Sequence, residues 1–266
     1  MRYYRLEKSV APLSGALLIN NYLYFSIVSW HMRYKNLIIV GTSHIAEQSV
    51  REVSEAIEKY DPDIIAIELD EKRLHALLHE QKGRMRLSDI RSVGVSGWLL
   101  AAIGGYFERK LGKSVGMKPG IEMLTAVRLA KEKGKKLALI DQDISVTLKK
   151  FSKEFRFSEK FRLFTDLIKG IFSGKKEMKK YGLDEFDLQK VPDKKVIERL
   201  ILSVKKRYPS FYKVLIEDRN KYMAKNLAYI MHNNPKSKIV AVVGAGHGKE
   251  LLELVKKELK NFKRTR

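Results

Sequence analysis

The chain of 266 residues carries 53 Lys and Arg against 31 Asp and Glu, a formal charge of +22, and contains no cysteine. Its length suits one sizeable α/β domain or a domain with an insertion. Without cysteine there are no disulfides, thiolate nucleophiles, cysteine zinc sites or iron–sulfur clusters, so any metal has to sit on imidazole and carboxylate. The positive excess, much of it between residues 149 and 180, reads equally as an anionic-surface contact or as a solvated, lysine- and glutamate-rich surface.

Residues 9–30, "SVAPLSGALLINNYLYFSIVSW", carry no formal charge and follow the basic "MRYYRLEK". Three readings stand open for them: a membrane-interacting segment, an extra packed element, or an extension ahead of a start at Met32. Residues 1–35 are therefore set apart as an N-terminal extension, and 36–266 as the α/β domain. "KNLIIVG" (35–41) reads as a buried strand ending at Gly41. "AEQSVREVSEAIEKY" (46–60) follows with Val50, Val53, Ile57 and Tyr60 at helical spacing, and "DPDIIAIEL" (61–69) restores strand character. Together they make a βαβ unit, the building block of a parallel sheet.

A helix begins at Asp70. The run "VGVSGWLLAAIGGYF" (93–107), broken by four glycines, is short for a membrane span and reads as a buried or interfacial helix. "PGIEMLTAVRLAKEKG" (119–134) is a helix with a Pro-Gly entrance and a glycine exit, and "KKLALID" (135–141) is another strand. From about 145 to 208 the pattern turns helical, basic and aromatic, with Phe151, Phe155, Phe157, Phe161 and Phe164 among lysines, and is read as a helical insertion or cap. A long helix over 210–233, a last strand over 236–244 and an amphipathic helix over 249–262 complete the chain. The expected fold is α/β, with a mainly parallel central sheet flanked by helices.

Ligands of such sheets bind beyond the carboxyl ends of the strands. There the chain places "GTSH" (41–44), "ELD" (68–70), "DQD" (141–143) and "GAGH" (244–247). In both glycine–histidine turns the imidazole falls near a helix N-terminus, where the helix dipole disfavours imidazolium and keeps the ring able to bind a metal. Glu68 then serves as a carboxylate ligand or as the base for a bound water. Each residue has a plainer role open to it. His44 and His247 can cap helices, Glu68 can pair with Arg73, Asp141 and Asp143 can cap the helix near Ser145, Glu122 can favour its helix dipole, and Arg219 can pair within its helix.

"IIVGTSHIAEQSVREVSEAIEKYDPDIIAIELDEKR" and "VVGAGHGKEL", with "PGIEMLTAV", "LIDQDISVTLKK" and "EDRNKYMAKNL" between them, resemble the TraB and pheromone-shutdown family over residues 36–258. That family is grouped with the Tiki proteases and GumN-like proteins. The resemblance implies a fold related to erythromycin esterases and ChaN-like haem-uptake proteins, and for some members a protease activity that uses manganese or cobalt. It aligns the paired Gly-x-x-His motifs with Gly41 and His44 and with Gly244 and His247, the acidic position with Glu68, and the helix arginine with Arg219. Arg73 and Glu122 match further positions of the TraB branch. The resemblance implies C-terminal transmembrane helices for many archaeal relatives, and this chain, ending in "KELKNFKRTR", is not expected to reside in a membrane by that route unless residues 9–30 substitute for it.

The expected function is therefore a metal-dependent hydrolase of peptide bonds, with inactivation of a peptide signal as one role open to it. His44, His247 and Glu68 would hold a manganese, cobalt, iron or zinc ion, Glu68 serving alternatively as the base for the attacking water, Arg219 would stabilise the developing oxyanion or orient a carboxylate, and Glu122 and Arg73 complete the candidate catalytic set. The alternative is a non-catalytic regulatory protein that binds a peptide or docks on a membrane surface through the basic insertion. A cytoplasmic or membrane-associated location suits either. Nucleic acid is not expected as a partner, because no recognisable motif accompanies the charge.

Overall fold

The computed structural model describes residues 3–4, 31–42, 47–79, 86–102, 104–105, 120–163, 165–166 and 194–264. The stretch 9–30, His44, Phe164 and the basic run 167–180 lie outside the described residues.

Alternation is absent from the central strands because both of their faces are covered. Strand β1 is Tyr3–Tyr4, β2 His31–Tyr34, β3 Leu37–Thr42, β4 Ile64–Ile67, β5 Lys136–Leu139 and β6 Ile239–Gly244. β3 and β6 are buried at every residue, as expected of strands inside a parallel sheet. The strand order is β1-β5-β4-β6-β3-β2. The inner four strands run parallel, and β1 and β2 add antiparallel edges. β2 returns on β3 through a hairpin whose turn puts Lys35 at φ 52°.

Helices close both faces. One is covered by α1 (Glu47–Tyr60), α2 (Glu71–Leu78) and α3 (Ile121–Glu132), which pack Val53, Ile57, Leu74, Met123 and Ala126 on Ile38, Val40, Ile65 and Ile67. On α1 the buried stripe also takes in Glu52, in line with Val53, Ala56 and Ile57. After β5 the chain forms α4 (Ile144–Glu154), and α5 (Lys194–Arg207) lies further on. The other face is covered by α6 (Asp218–Asn233) and α7 (Gly248–Arg264), where Met223, Leu227 and Ile230 meet Leu251, Val255 and the odd-numbered side of β3. The result is a three-layer α/β/α sandwich with a mostly parallel sheet.

A smaller apolar cluster of Phe151, Phe155 and Val214, flanked by Leu100, Leu163 and Phe211, ties α4 to the helical region outside the sandwich. The run beginning at Val93 is not buried throughout: Val95 and Leu99 are exposed, and Gly97 faces α4. An ideal Cβ on Gly97 would lie 2.4 Å from the Leu148 carbonyl oxygen, so glycine is what permits this approach.

Candidate functional site

β6 is inserted between β3 and β4, so residues far apart in sequence share one sheet edge. Thr42 pairs with Gly244 in register, and the Thr42 carbonyl accepts from the Ala245 amide at 2.8 Å. The strand ends that lead into the two glycine–histidine motifs are thus neighbours. β4 ends on the other side of β6, where the Glu68 amide donates to Val242, and β5 beyond it delivers Asp141. His247 stands immediately before α7, and its carbonyl accepts the Leu251 amide at 2.9 Å, so it occupies the helix N-terminus as its spacing predicts.

Glu68 is 5% exposed, and both of its carboxylate oxygens are engaged. Oε2 accepts the Gly244 amide at 2.7 Å. Oε1 accepts from Arg219 Nη2 and lies 3.3 Å from His247 Nε2. Arg219 also grips Asp141 through Nε and Nη2, the latter at 2.5 Å, and donates Nη1 to the Leu215 carbonyl at 3.2 Å. Arg73 reaches the same Asp141 oxygen at 2.6 Å and holds Asp70 at 2.7 Å. Asp70 caps α2 through the Arg73 amide and accepts the Ile144 amide as well. Three carboxylates therefore face two guanidiniums, which leaves one net negative charge at the strand ends and favours a cation there.

Electrostatics reinforce this arrangement. Burial alone would loosen the protons of Arg219 and Arg73, but Glu68 and Asp141 outweigh it at Arg219, as Asp141 and Asp70 do at Arg73, and both guanidiniums are held above their ordinary values. Arg73 does not pair with Glu68 despite its nearness in sequence. Its side chain is committed to the cap residue Asp70 and to Asp141, while Arg219, 151 positions away, takes Glu68. Asp143, not Asp141, caps α4, accepting the Ser145 amide at 2.7 Å.

His247 is held from its other side as well. Its Nδ1 meets Asn220 Oδ1 at 2.7 Å, Asn220 Nδ2 donates to Glu250 Oε2 at 3.0 Å, and the Tyr212 hydroxyl donates to the same oxygen at 2.8 Å. Burial, with Glu250 beside it, pushes the Tyr212 hydroxyl well above its ordinary pKa, so it stays a donor. Sequence reasoning passed over Asn220, Glu250 and Tyr212. Asn220 lies inside the quoted "EDRN", but a regular helix sets Tyr212 and Asn220 about 80° apart on its surface. The helix from Pro209 to Asn233 instead contains a π-helical turn, Lys213–Glu217, in which the Asp218 amide bonds to the Lys213 carbonyl. That extra residue spaces Tyr212 and Asn220 as if by two heptad-like turns, on one face toward Glu250, and π turns recur at functional sites.

Glu122 is fully buried in the first turn of α3, on the opposite face of the sheet from α6. Among the described residues no group of three or more His, Asp or Glu side chains is arranged to hold a metal. His247 and Glu68 are the two candidate donors brought together, and their 3.3 Å separation is that of neighbouring donors on one ion with bonds of about 2.0–2.2 Å. The residues present therefore fit a divalent cation with a further ligand still to be supplied.

Comparison with known proteins bears on the whole domain. The chain is 31% identical over 243 residues to an uncharacterized protein of Methanocaldococcus jannaschii, covering 87% of this chain and 57% of that protein. The human and mouse TraB domain-containing proteins are 23% and 22% identical over 233 residues, covering 79% of the chain and 60% of theirs. The chain thus spans less than two thirds of the length of these curated relatives. The profile of the TraB/PrgY/gumN family matches residues 28–258, and the chain belongs to that family.

Proposed function

We propose that this domain is a metal-dependent hydrolase of peptide bonds, in keeping with a role in inactivating a peptide signal. The observation that carries the reading is the buried contact of His247 Nε2 with Glu68 Oε1 at adjoining strand ends, inside a cluster with one surplus negative charge. His247 and Glu68 would hold the ion, with His44 as the further ligand. His44 follows Thr42 by two residues in sequence, and Thr42 pairs in register with Gly244. Imidazole and carboxylate donors suit manganese, cobalt, iron or zinc.

When bound, such an ion supplies Lewis acidity to a carbonyl oxygen and acidifies water. The protein's own groups do the rest. Arg219 and the Gly244 amide keep the Glu68 carboxylate in place, either as a ligand of the ion or, in place of that role, as the base that takes a proton from the attacking water. Arg219 is largely committed to Glu68, Asp141 and Leu215, so oxyanion stabilisation falls to Arg73, whose side chain is 28% exposed and whose Nη1 has no partner among the described residues. Asp70 and Asp141 hold that guanidinium in place. The test is metal retention after dialysis against manganese or cobalt, followed by cleavage of a peptide library. The wild type should retain about one ion per chain and cleave peptides, and His44→Ala and His247→Ala should each release the ion. Equal metal content in all three proteins would overturn the reading.

A second reading, docking on an anionic membrane surface, has its own observation. Phe157 and Phe161, one helical turn apart, are 83% and 64% exposed beside the exposed Arg156 and Arg162, an apolar and basic combination suited to a headgroup region. Among the described residues no helix is long and apolar enough to cross a membrane. Vesicles containing phosphatidylserine should bind the wild type and lose it on Phe157→Ser/Phe161→Ser, whereas unchanged binding would remove this reading.

A further inference from the structure

We propose that Asn220, oriented by Glu250 and Tyr212, is a positioning residue that fixes His247 as its Nδ1–H tautomer and so aims an Nε2 lone pair at Glu68. The assignment follows from which groups can donate. The Glu250 carboxylate only accepts, and one of its oxygens already receives the Tyr212 hydroxyl at 2.8 Å. The Asn220 group facing it at 3.0 Å therefore has to be the amide NH2. That turns the Asn220 carbonyl toward His247 Nδ1 at 2.7 Å, and a carbonyl oxygen accepts only, so Nδ1 carries the hydrogen. In the neutral ring Nε2 is then an acceptor, and it faces another acceptor, Glu68 Oε1, at 3.3 Å.

Asn220 is fully buried and His247 and Glu68 are each 5% exposed, so bulk water does not relieve this confrontation. Two acceptors brought face to face in a buried cluster are satisfied together by a cation between them. Fixing one imidazole nitrogen through an outer hydrogen bond so that the other is free for a metal is a general device of metal sites. The π turn at Lys213–Glu217 is the local feature that lets Asn220 and Tyr212 converge on Glu250.

The functional meaning of this tautomer rests on the metal-site reading above, but the tautomer itself can be tested without metal. The experiment is a long-range proton–nitrogen correlation spectrum of the metal-stripped, histidine-labelled full chain near pH 7.5. The six histidines allow assignment of His247 by loss of its signals in His247→Gln. The wild type should show His247 neutral and protonated on Nδ1. Asn220→Leu should shift the proton to Nε2, now free to donate to Glu68, and Glu250→Gln, which keeps an oxygen to accept the Asn220 amide and the Tyr212 hydroxyl, should retain the wild-type form. Calorimetry with cobalt alone should show affinity falling about 10- to 100-fold in Asn220→Leu and not in Glu250→Gln.

A wild-type spectrum with the proton on Nε2, or on both nitrogens, overturns the proposal, as does an unchanged tautomer in Asn220→Leu. Should that variant fail to fold, the wild-type and Glu250→Gln spectra decide. If His247 carries its proton on Nδ1 and responds to Asn220 while cobalt does not bind, the positioning role stands and the metal reading fails. If cobalt binds and the tautomer ignores Asn220, the reverse holds.

Discussion

Replacing Arg219 by methionine keeps the length and apolar stem of the side chain while removing its guanidinium, and it probes the cluster at its centre. Glu68 and Asp141, with side chains 4% and 0% exposed, both lose a cation. Asp141 keeps Arg73 at 2.6 Å and the Gln142 amide at 2.8 Å, whereas Glu68 loses the guanidinium on Oε1 and keeps the Gly244 amide at 2.7 Å. Removing one partner of a buried ion pair destabilises by about 3–5 kcal/mol, because the remaining charge stays buried and uncompensated. Arg73 limits the damage at Asp141, so the lower part of that range, about 3 kcal/mol, is expected, which lowers Tm by about 6–12 °C in a domain of this size. The deficit should shrink as pH falls toward 5, since a stranded carboxylate that takes up a proton no longer needs the cation. Glu68→Gln in the same chain should recover more than 1 kcal/mol relative to additivity. Urea unfolding of the four proteins of this cycle at pH 7.5 and pH 5 measures all three quantities. A loss below 1 kcal/mol, or an additive cycle, would refute the view that Arg219 neutralises a buried Glu68.

Other elements yield their own tests. Burial holds the Glu52 carboxyl above its ordinary value of 4.5 despite its bond to Gln48, so the folded state favours the protonated acid and its contribution fades as pH rises through the folded value. Glu52→Gln should therefore raise Tm at pH 7.5, with the gain vanishing below about pH 4.5; a loss at pH 7.5 would mean the charge is compensated. Gly97→Ala drives a Cβ against the Leu148 backbone and should destabilise by about 1–3 kcal/mol, with faster amide exchange at the start of α4. Asp143→Ala removes the cap of α4 and its 2.7 Å pair with Lys72, and should lower stability by about 1 kcal/mol in urea unfolding.

The parts of the fold legible in the sequence are those with a local signature. The apolar run Leu37–Val40 and its echo Ile239–Val243 read as doubly covered strands because burial on both faces removes alternation. The α1 stripe of Val53 and Ile57 is where helical spacing puts it, although the same stripe buries Glu52, which polarity alone would place in water. What sequence could not show is adjacency. β6 slots between β3 and β4 after some 170 intervening residues, and only that insertion brings Gly244 beside Thr42 and Glu68. His247 and Glu68 were legible from their places at strand ends and Arg219 through motif resemblance, and the structure joins them. Arg73 joins them through Asp141, whose position in "DQD" had read equally well as a helix cap. Asn220, Tyr212 and Glu250 were hidden because the π turn alters the helical register on which spacing arguments depend.

The central claim is that a divalent ion sits between His247 and Glu68, and anomalous scattering from a crystal grown with cobalt tests it most directly. The account predicts one strong peak within bonding distance of His247 Nε2 and Glu68 Oε1, with His247 Nδ1 still bonded to Asn220. A cobalt-grown crystal with no peak there, and Glu68 still bonded to Arg219 and the Gly244 amide, would contradict it.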